Sequence, residues 1–149
     1  MRRVLILGAS VRAAAESAVN ADWQVTAADL FADRDLQNIA DCTRISHYPD
    51  DFARIRKLHA ALPVMYTGAL ENYPSLLDQF RSAGLLLGND RDAVQNLRDP
   101  FRLQDVFANH GLMFPKTTQS PPASHHHHWL RKSKLSAGGS RILRCQPEL

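Results

Sequence analysis

Cysteines are few in this sequence and long apolar runs are absent, and both features restrict the class of protein. Cys42 and Cys145 are the only cysteines among 149 residues, and neither belongs to a CxxC motif. We therefore expect free thiols rather than a disulfide framework. The apolar runs are far shorter than the roughly 20 residues that cross a bilayer as a helix, and no secretion signal follows Met1. These absences predict a cytoplasmic protein with no membrane partner.

An excess of basic side chains is also missing from most of the chain. Residues 1–120 carry 13 basic and 14 acidic side chains, whereas residues 121–149 carry five basic side chains against Glu148. A nucleic-acid-binding domain needs a basic face, so we expect no nucleic-acid partner for the body of the protein. The basic tail could contact phosphates, either as a small-ligand site or as a disordered arm.

Short apolar runs bounded by turn residues recur about every twenty residues, with helix-like segments between them. The five runs are Val4–Leu7, Val25–Ala28, Thr43–Ser46, Val64–Thr67 and Leu85–Leu87. Strands that alternate with helices form βαβ units and a parallel sheet. The pattern predicts an α/β fold with an open, parallel, Rossmann-like sheet of about five strands and helices on both faces.

Local signals place the ends of several helices. Ser10 is positioned to cap the first helix, and Pro74 suits the first turn of a later one. After the fifth run, Asp99 followed by Pro100 predicts the start of a linker helix that Gly111 ends. Two consecutive helices break the alternation with strands, so we expect a domain boundary near residues 112–116.

The remaining segment predicts a partial second domain. We expect domains of 1–115 and 116–149, with a Pro- and His-containing loop from Gln119 to His128. Two short strands, Trp129–Lys134 and Arg141–Cys145, would form a β hairpin around a flexible turn. Whether residues 119–149 are ordered stays open at this stage.

The turn after the first run is one candidate site. Gly8-Ala9-Ser10 has only the first glycine of a dinucleotide-binding fingerprint, whose third glycine position is Ala13. Asp29 ends the second run, where an acid that binds ribose would be expected. The alternative is a tight strand–helix turn with no ligand and with Asp29 exposed.

Two further candidates lie near the end of the chain. Lys132 precedes the pair Gly138-Gly139, and a lysine with a glycine-rich hairpin can hold phosphates through its charge and through backbone N–H groups. The alternative is a solvated hairpin. His125–His128 could bind a divalent metal loosely, but the run lacks the spacing of a preformed site, and we predict no metal site.

The order of these elements resembles the N-terminal part of ATP-grasp proteins. The motifs are Gly88-Asn89-Asp90, then Leu97-Arg98-Asp99, then Gly111 to Thr117, and finally Leu130-Arg131-Lys132 with Ser136 to Gly139. The stretch from Asp29 to Leu36 is similar to the branch described as ATP-dependent carboligases related to biotin carboxylase. The resemblance covers nearly the whole chain.

The resemblance implies an ATP-dependent ligase that uses ATP with Mg and acts through an acyl-phosphate. It implies that Lys132, Gly138 and Gly139 contact the ATP phosphates, while Gly8, Ala9, Ser10 and Asp29 face the substrate. Where such proteins commonly have a second lysine after the linker-helix aspartate, this chain has Pro100, and Arg102 is the nearest basic replacement. We expect a truncated protein that lacks the adenine-binding and metal-binding half.

Three functions therefore stay open. The first is a partial ATP-grasp-type ligase, with a small-molecule substrate and with a homo-oligomer or a separate chain supplying the missing half. The second is a small Rossmann-type NAD(P)-binding protein. The third is a non-catalytic α/β domain that binds a partner through Trp129 and the tail. Whether the chain alone is an enzyme is undecided from the sequence.

Overall fold

The chain contains two compact units. The computed structural model describes residues 1–120 and 128–145, and the units are Met1–Arg91, called here the sheet unit, and Asp92–Leu149, called the hairpin unit. The sheet unit is an α/β domain and the hairpin unit includes a small antiparallel hairpin, so the predicted fold class is confirmed. The functional domains expected at 1–115 and 116–149 stay a prediction.

A four-stranded parallel sheet forms the centre of the sheet unit. Its strands are β1 (Arg2–Leu7), β2 (Trp23–Asp29), β3 (Asp41–Arg44) and β4 (Val64–Tyr66), in the spatial order β3-β2-β1-β4. The fifth predicted run adds only an isolated parallel bridge between Leu86 and Val64. Its pairing with β4 consists of the Val64 N–H donating to the carbonyl of Leu85 (2.8 Å) and the Leu87 N–H donating to the carbonyl of Val64 (2.7 Å).

Helices cover the sheet on both sides, as predicted. They are α1 (Arg12–Asn20), α2 (Arg34–Ile39), α3 (Asp51–Leu58) and α4 (Pro74–Ser82), with a 3₁₀ turn at Leu70–Asn72. The chain moves outward from β1 to β3 and then returns to β4 on the other side of β1. Because parallel crossovers are right-handed, α1 and α2 lie on one face and α3 on the opposite face.

The two sides of β1 explain the unbroken apolar run Val4–Leu7 that forms most of the strand. Val4 and Ile6 pack in a cluster with Val11, Ala15 and Leu36 from the α1 and α2 side. Leu5 and Leu7 alternate with them, point to the other side, and are completely buried as well. A strand buried on both faces has no polar positions, which is why this run is the clearest signal in the sequence.

Arg56 joins the ends of two helices on the α3 side. The residue is 1% exposed, and its guanidinium donates to the carbonyl oxygens of His59 (3.0 Å), Leu62 (2.9 Å) and Phe80 (3.4 Å). Carbonyl groups near the ends of α3 and α4 thus gain the partners that the helices themselves cannot give. Burial lowers the pKa of the Arg56 guanidinium.

The hairpin unit contains two helices and two short strands. They are α5 (Arg91–Leu97), which begins at the last residue of the sheet unit, α6 (Pro100–Asn109), β5 (Leu130–Lys132) and β6 (Ile142–Arg144). Asp99 caps α6 by accepting from the backbone N–H groups of Phe101 and Arg102, and Gly111 follows with a left-handed φ of 66°. Both ends of the predicted linker helix are therefore confirmed. Within residues 1–120 and 128–145, no helix has the length and apolar character needed to cross a membrane.

Candidate functional site

The carboxyl ends of β1 and β4 meet at the point where the strand order reverses. In open α/β sheets, ligands bind in the crevice at this edge, because the flanking connections leave toward opposite faces. The predicted turn Gly8-Ala9-Ser10 follows β1 here, and Thr67 follows β4. The structure therefore places the turn at the edge of the sheet where a ligand would be expected.

Thr67 closes this edge from the β4 side. Its backbone N–H donates to the carbonyl of Leu7 (2.9 Å), and its Oγ1 donates to the carbonyl of Ser10 (3.0 Å). A Cβ atom on Gly8 would lie 1.9 Å from Thr67 Oγ1, so only glycine fits beside this side chain. The need for Gly8 therefore comes from close packing inside the protein.

Asp29 is an internal part of the same turn. The residue is 2% exposed, so the interpretation that it is exposed is wrong. Its Oδ2 accepts from the N–H of Val11 (2.7 Å), and its Oδ1 accepts from those of Phe31 (2.7 Å) and Ala32 (2.8 Å). Both carboxylate oxygens therefore already have donors within the protein.

The start of α1 also differs from the prediction. Val11 is the N-cap residue and no side chain of its own caps the helix, so the expected cap by Ser10 is wrong. The Asp29 carboxylate instead reaches the Val11 N–H across 18 residues of sequence. A negative charge at this position also suits the positive end of the helix dipole. The substrate-side role of Gly8, Ala9, Ser10 and Asp29 stays a prediction.

An aromatic group joins the loop after β3, the first turn of α3 and the loop that precedes α4. The ring of Tyr48 packs edge-on against those of Phe52 (5.5 Å between centroids) and Tyr73 (5.8 Å). Burial, and then the neighbouring Tyr73 and Glu71, raise the pKa of the Tyr48 hydroxyl to about 12. Tyr48 therefore stays neutral near pH 7. Sequence reasoning missed this group because its members come from separate connections and show no shared period.

Cys42 shows no sign of being an activated nucleophile. The residue lies in β3 and is partly buried. Burial raises the pKa of its thiol, and the negative charges of Asp29, Asp33 and Asp41 raise it further. A reactive cysteine needs the opposite, a lowered pKa beside positive groups.

The hairpin brings the other predicted site residues into one element. Lys132 is exposed at the end of β5 and pairs across the hairpin with Ile142. Gly138 and Gly139 lie in the connecting turn with left-handed φ values of 61° and 74°, and a Cβ atom on either would have no neighbour within 4 Å. The pair therefore presents open backbone, whereas Gly8 is enclosed.

Arg98 holds the loop that leads to the glycine pair. Its Nη2 donates to the carbonyl oxygens of Lys134 and Ser136, each at 3.0 Å. These contacts join the end of α5 to a loop 36 and 38 residues later, so no local pattern could have shown them. Arg102, the basic residue expected to replace a second ATP contact, donates from Nη1 to the Asn96 side chain at 2.5 Å.

Most of the histidine run lies outside the part of the chain that the structure describes. His125, His126 and His127 lie outside the described residues, so the prediction for them has no structural counterpart here. Within residues 1–120 and 128–145, no group of three His, Cys, Asp or Glu side chains could hold a metal ion.

The fold of this chain has a counterpart among solved structures. That structure is the ATP-grasp enzyme N5-carboxyaminoimidazole ribonucleotide synthetase from Thermotoga maritima, to which this chain is similar with a TM-score of 0.56 and 17% sequence identity. The likeness covers 78% of this chain, which spans only 33% of the synthetase. At this identity it confirms the predicted resemblance at the level of fold. No family model matches the sequence, and no curated protein is similar enough to count as a match.

Proposed function

We propose that this chain is the first part of an ATP-grasp-type ligase and that its hairpin binds the phosphates of ATP. The observation that carries the proposal is the hairpin itself, which presents exposed Lys132 together with the open backbone of Gly138 and Gly139. An ammonium group supplies a point charge for phosphate, and N–H groups in a left-handed turn can approach it closely.

The proposed reaction is ATP-dependent ligation of a carboxylate. A carboxylate oxygen of the substrate attacks the terminal phosphorus of ATP, ADP leaves, and an acyl-phosphate forms. A nucleophile then attacks the acyl carbon and inorganic phosphate leaves. In this reaction Lys132 and the glycine pair orient and partly neutralise the phosphates, and the turn from Gly8 to Ser10 faces the substrate.

The proposed ligase needs more than these residues. The described part of the chain holds no group of three His, Cys, Asp or Glu side chains that could bind a metal ion. The chain also spans a third of the synthetase that it resembles. We therefore assign the magnesium and adenine contacts to further chain, to a separate chain or to a second copy, in a cytoplasmic assembly.

The geometry favours ATP over NAD(P). A dinucleotide would need an acid free to bind ribose and an open turn for its pyrophosphate. Asp29 has three backbone donors on its two oxygens, and Thr67 fills the space beside Gly8. If the chain binds neither ATP nor NAD(P), the remaining function is a non-catalytic domain that binds a partner through Trp129.

Calorimetric titration tests the proposal directly. We expect the full chain to bind Mg-ATP, and Lys132→Ala to weaken binding about tenfold or more, because a charged contact to phosphate is lost. Lys57→Ala removes the same charge from an exposed position of α3 and should leave the affinity unchanged. Unaltered binding by Lys132→Ala, or tight binding of NADH without binding of Mg-ATP, would contradict the proposal.

A further inference from the structure

The two faces of the hairpin carry different side chains. Residues that pair directly across an antiparallel ladder point to the same face, and successive residues alternate. The pairs Leu130–Arg144 and Lys132–Ile142 therefore share one face, called here the lysine face. Arg131 pairs with Leu143 on the opposite face.

The face that carries Arg131 and Leu143 includes one further pair of residues. The N–H of Cys145 donates to the carbonyl of Trp129 at 3.0 Å, which continues the ladder beyond the two strands. Trp129, Arg131, Leu143 and Cys145 therefore form what we call the tryptophan face. Trp129 and Cys145 are partly buried.

The lysine face is the more exposed of the two. All four of its residues are exposed, with Leu130 at 63% and Ile142 at 39%. Arg131 and Leu143 on the tryptophan face are exposed as well, but only the lysine face has all of its residues exposed, so a ligand can reach every side chain on it.

Two cations share that face. Lys132 and Arg144 are diagonal neighbours, a relation that places residues about 7–8 Å apart across a ladder. Within residues 1–120 and 128–145, neither side chain has a hydrogen-bond or ion-pair partner. Two like charges at this spacing repel, and an anion that extends along the face would relieve the repulsion.

We propose that Arg144 is a second phosphate contact and that the lysine face binds a polyphosphate rather than a single phosphate. A guanidinium group can hold two phosphate oxygens at once, and successive phosphates can reach both cations. Arg131 points to the other face and makes no such contact. The inference deepens the proposed ATP site and rests on it, since ATP is the polyphosphate concerned.

A matched pair of variants separates this contact from general attraction. Arg144→Ala and Arg131→Ala remove the same charge from neighbouring pairs of one hairpin. Each variant is titrated, as the full chain and at fixed ionic strength, with Mg-ATP and with inorganic tripolyphosphate, and the affinity for each ligand is measured. We expect Arg144→Ala to weaken each ligand about tenfold, and Arg131→Ala to weaken each less than about twofold. Arg144→Lys should recover part of the loss.

Each outcome of the titration decides between the two proposals. Equal losses in Arg144→Ala and Arg131→Ala would show nonspecific attraction and overturn the role of Arg144. Unchanged binding by Arg144→Ala, with loss in Lys132→Ala, would reject Arg144 and leave the ATP site standing. No binding of either ligand by the unaltered chain would overturn both proposals. An amide NMR spectrum of each variant, with the β5 and β6 signals retained, excludes loss of the hairpin as the cause.

Discussion

Two turns of this protein contain glycine at a position where phosphate binding is conceivable, and their surroundings are opposite. Beside Gly8, the Thr67 hydroxyl fills the space and the Asp29 carboxylate accepts the first N–H at the helix start. Around Gly138 and Gly139, a Cβ atom would meet nothing within 4 Å. A glycine after a strand thus has two possible causes, internal packing or access for a ligand, and only its neighbours distinguish them.

The sheet unit and the hairpin unit also differ in how much of their apolar surface is buried. Of the buried hydrophobic residues within the described part of the chain, Val94 alone belongs to the hairpin unit. The exposed apolar residues of the hairpin unit include Leu130, Leu135 and Leu143. Substitutions in the sheet unit should therefore change mainly stability, whereas substitutions on the hairpin should change mainly ligand affinity.

The largest effect on stability is expected from Asp29→Asn. The amide group can keep one acceptor oxygen but turns a donor toward buried backbone N–H groups, which then lack a partner. We expect the free energy of unfolding to fall by about 3 kcal/mol in urea denaturation.

Asp33→Asn provides the control for this change. Asp33 caps α2 near the surface by accepting from the N–H of Leu36, and asparagine caps helices equally well. The free energy of unfolding of the Asp33→Asn variant should differ from that of the unaltered chain by less than about 0.5 kcal/mol. If both variants lose equal stability, Asp29 does not have the special internal role assigned to it.

A smaller effect is expected from Gly8→Ala. The new methyl group would overlap Thr67 Oγ1 and force that side chain away from the carbonyl of Ser10. We expect a loss of about 2 kcal/mol in the free energy of unfolding, measured by urea denaturation.

Two comparisons sharpen this second prediction. Gly68→Ala places a methyl group where nothing lies within 4 Å and should change stability by less than about 0.5 kcal/mol. In the double variant Gly8→Ala with Thr67→Ala, the obstructing hydroxyl is gone, so the two losses should not add. Full additivity would show that Thr67 is not the reason for glycine at position 8.

Much of the fold could be predicted because its signals are local. Strands β1, β2 and β4 come from apolar runs, and the ends of α6 come from Asp99 and Gly111. Strand β3 begins at Asp41 rather than Thr43, because the backbone is already extended at Ala40, the residue that directly follows α2. No glycine or proline marks the end of α2 in the sequence.

The two candidate sites differ in how far apart their residues lie in the sequence. Lys132 and the glycine pair could be recognised together because one hairpin holds them. The bond from Asp29 to Val11, the bond from Thr67 to Ser10 and the bonds from Arg98 to the hairpin loop join distant segments, up to 57 residues apart. No periodicity or cap signal encodes such contacts, so the closed state of the opening turn became visible only in the folded chain.

The contrast between the two glycine turns can be measured in one amide NMR titration of the full chain with Mg-ATP. The account predicts that the signals of Gly138 and Gly139 shift as ATP is added, whereas the signal of Gly8 stays in place. Shifts of Gly8 and Ser10, with Gly138 and Gly139 unchanged, would place the nucleotide at the opening turn and contradict the account.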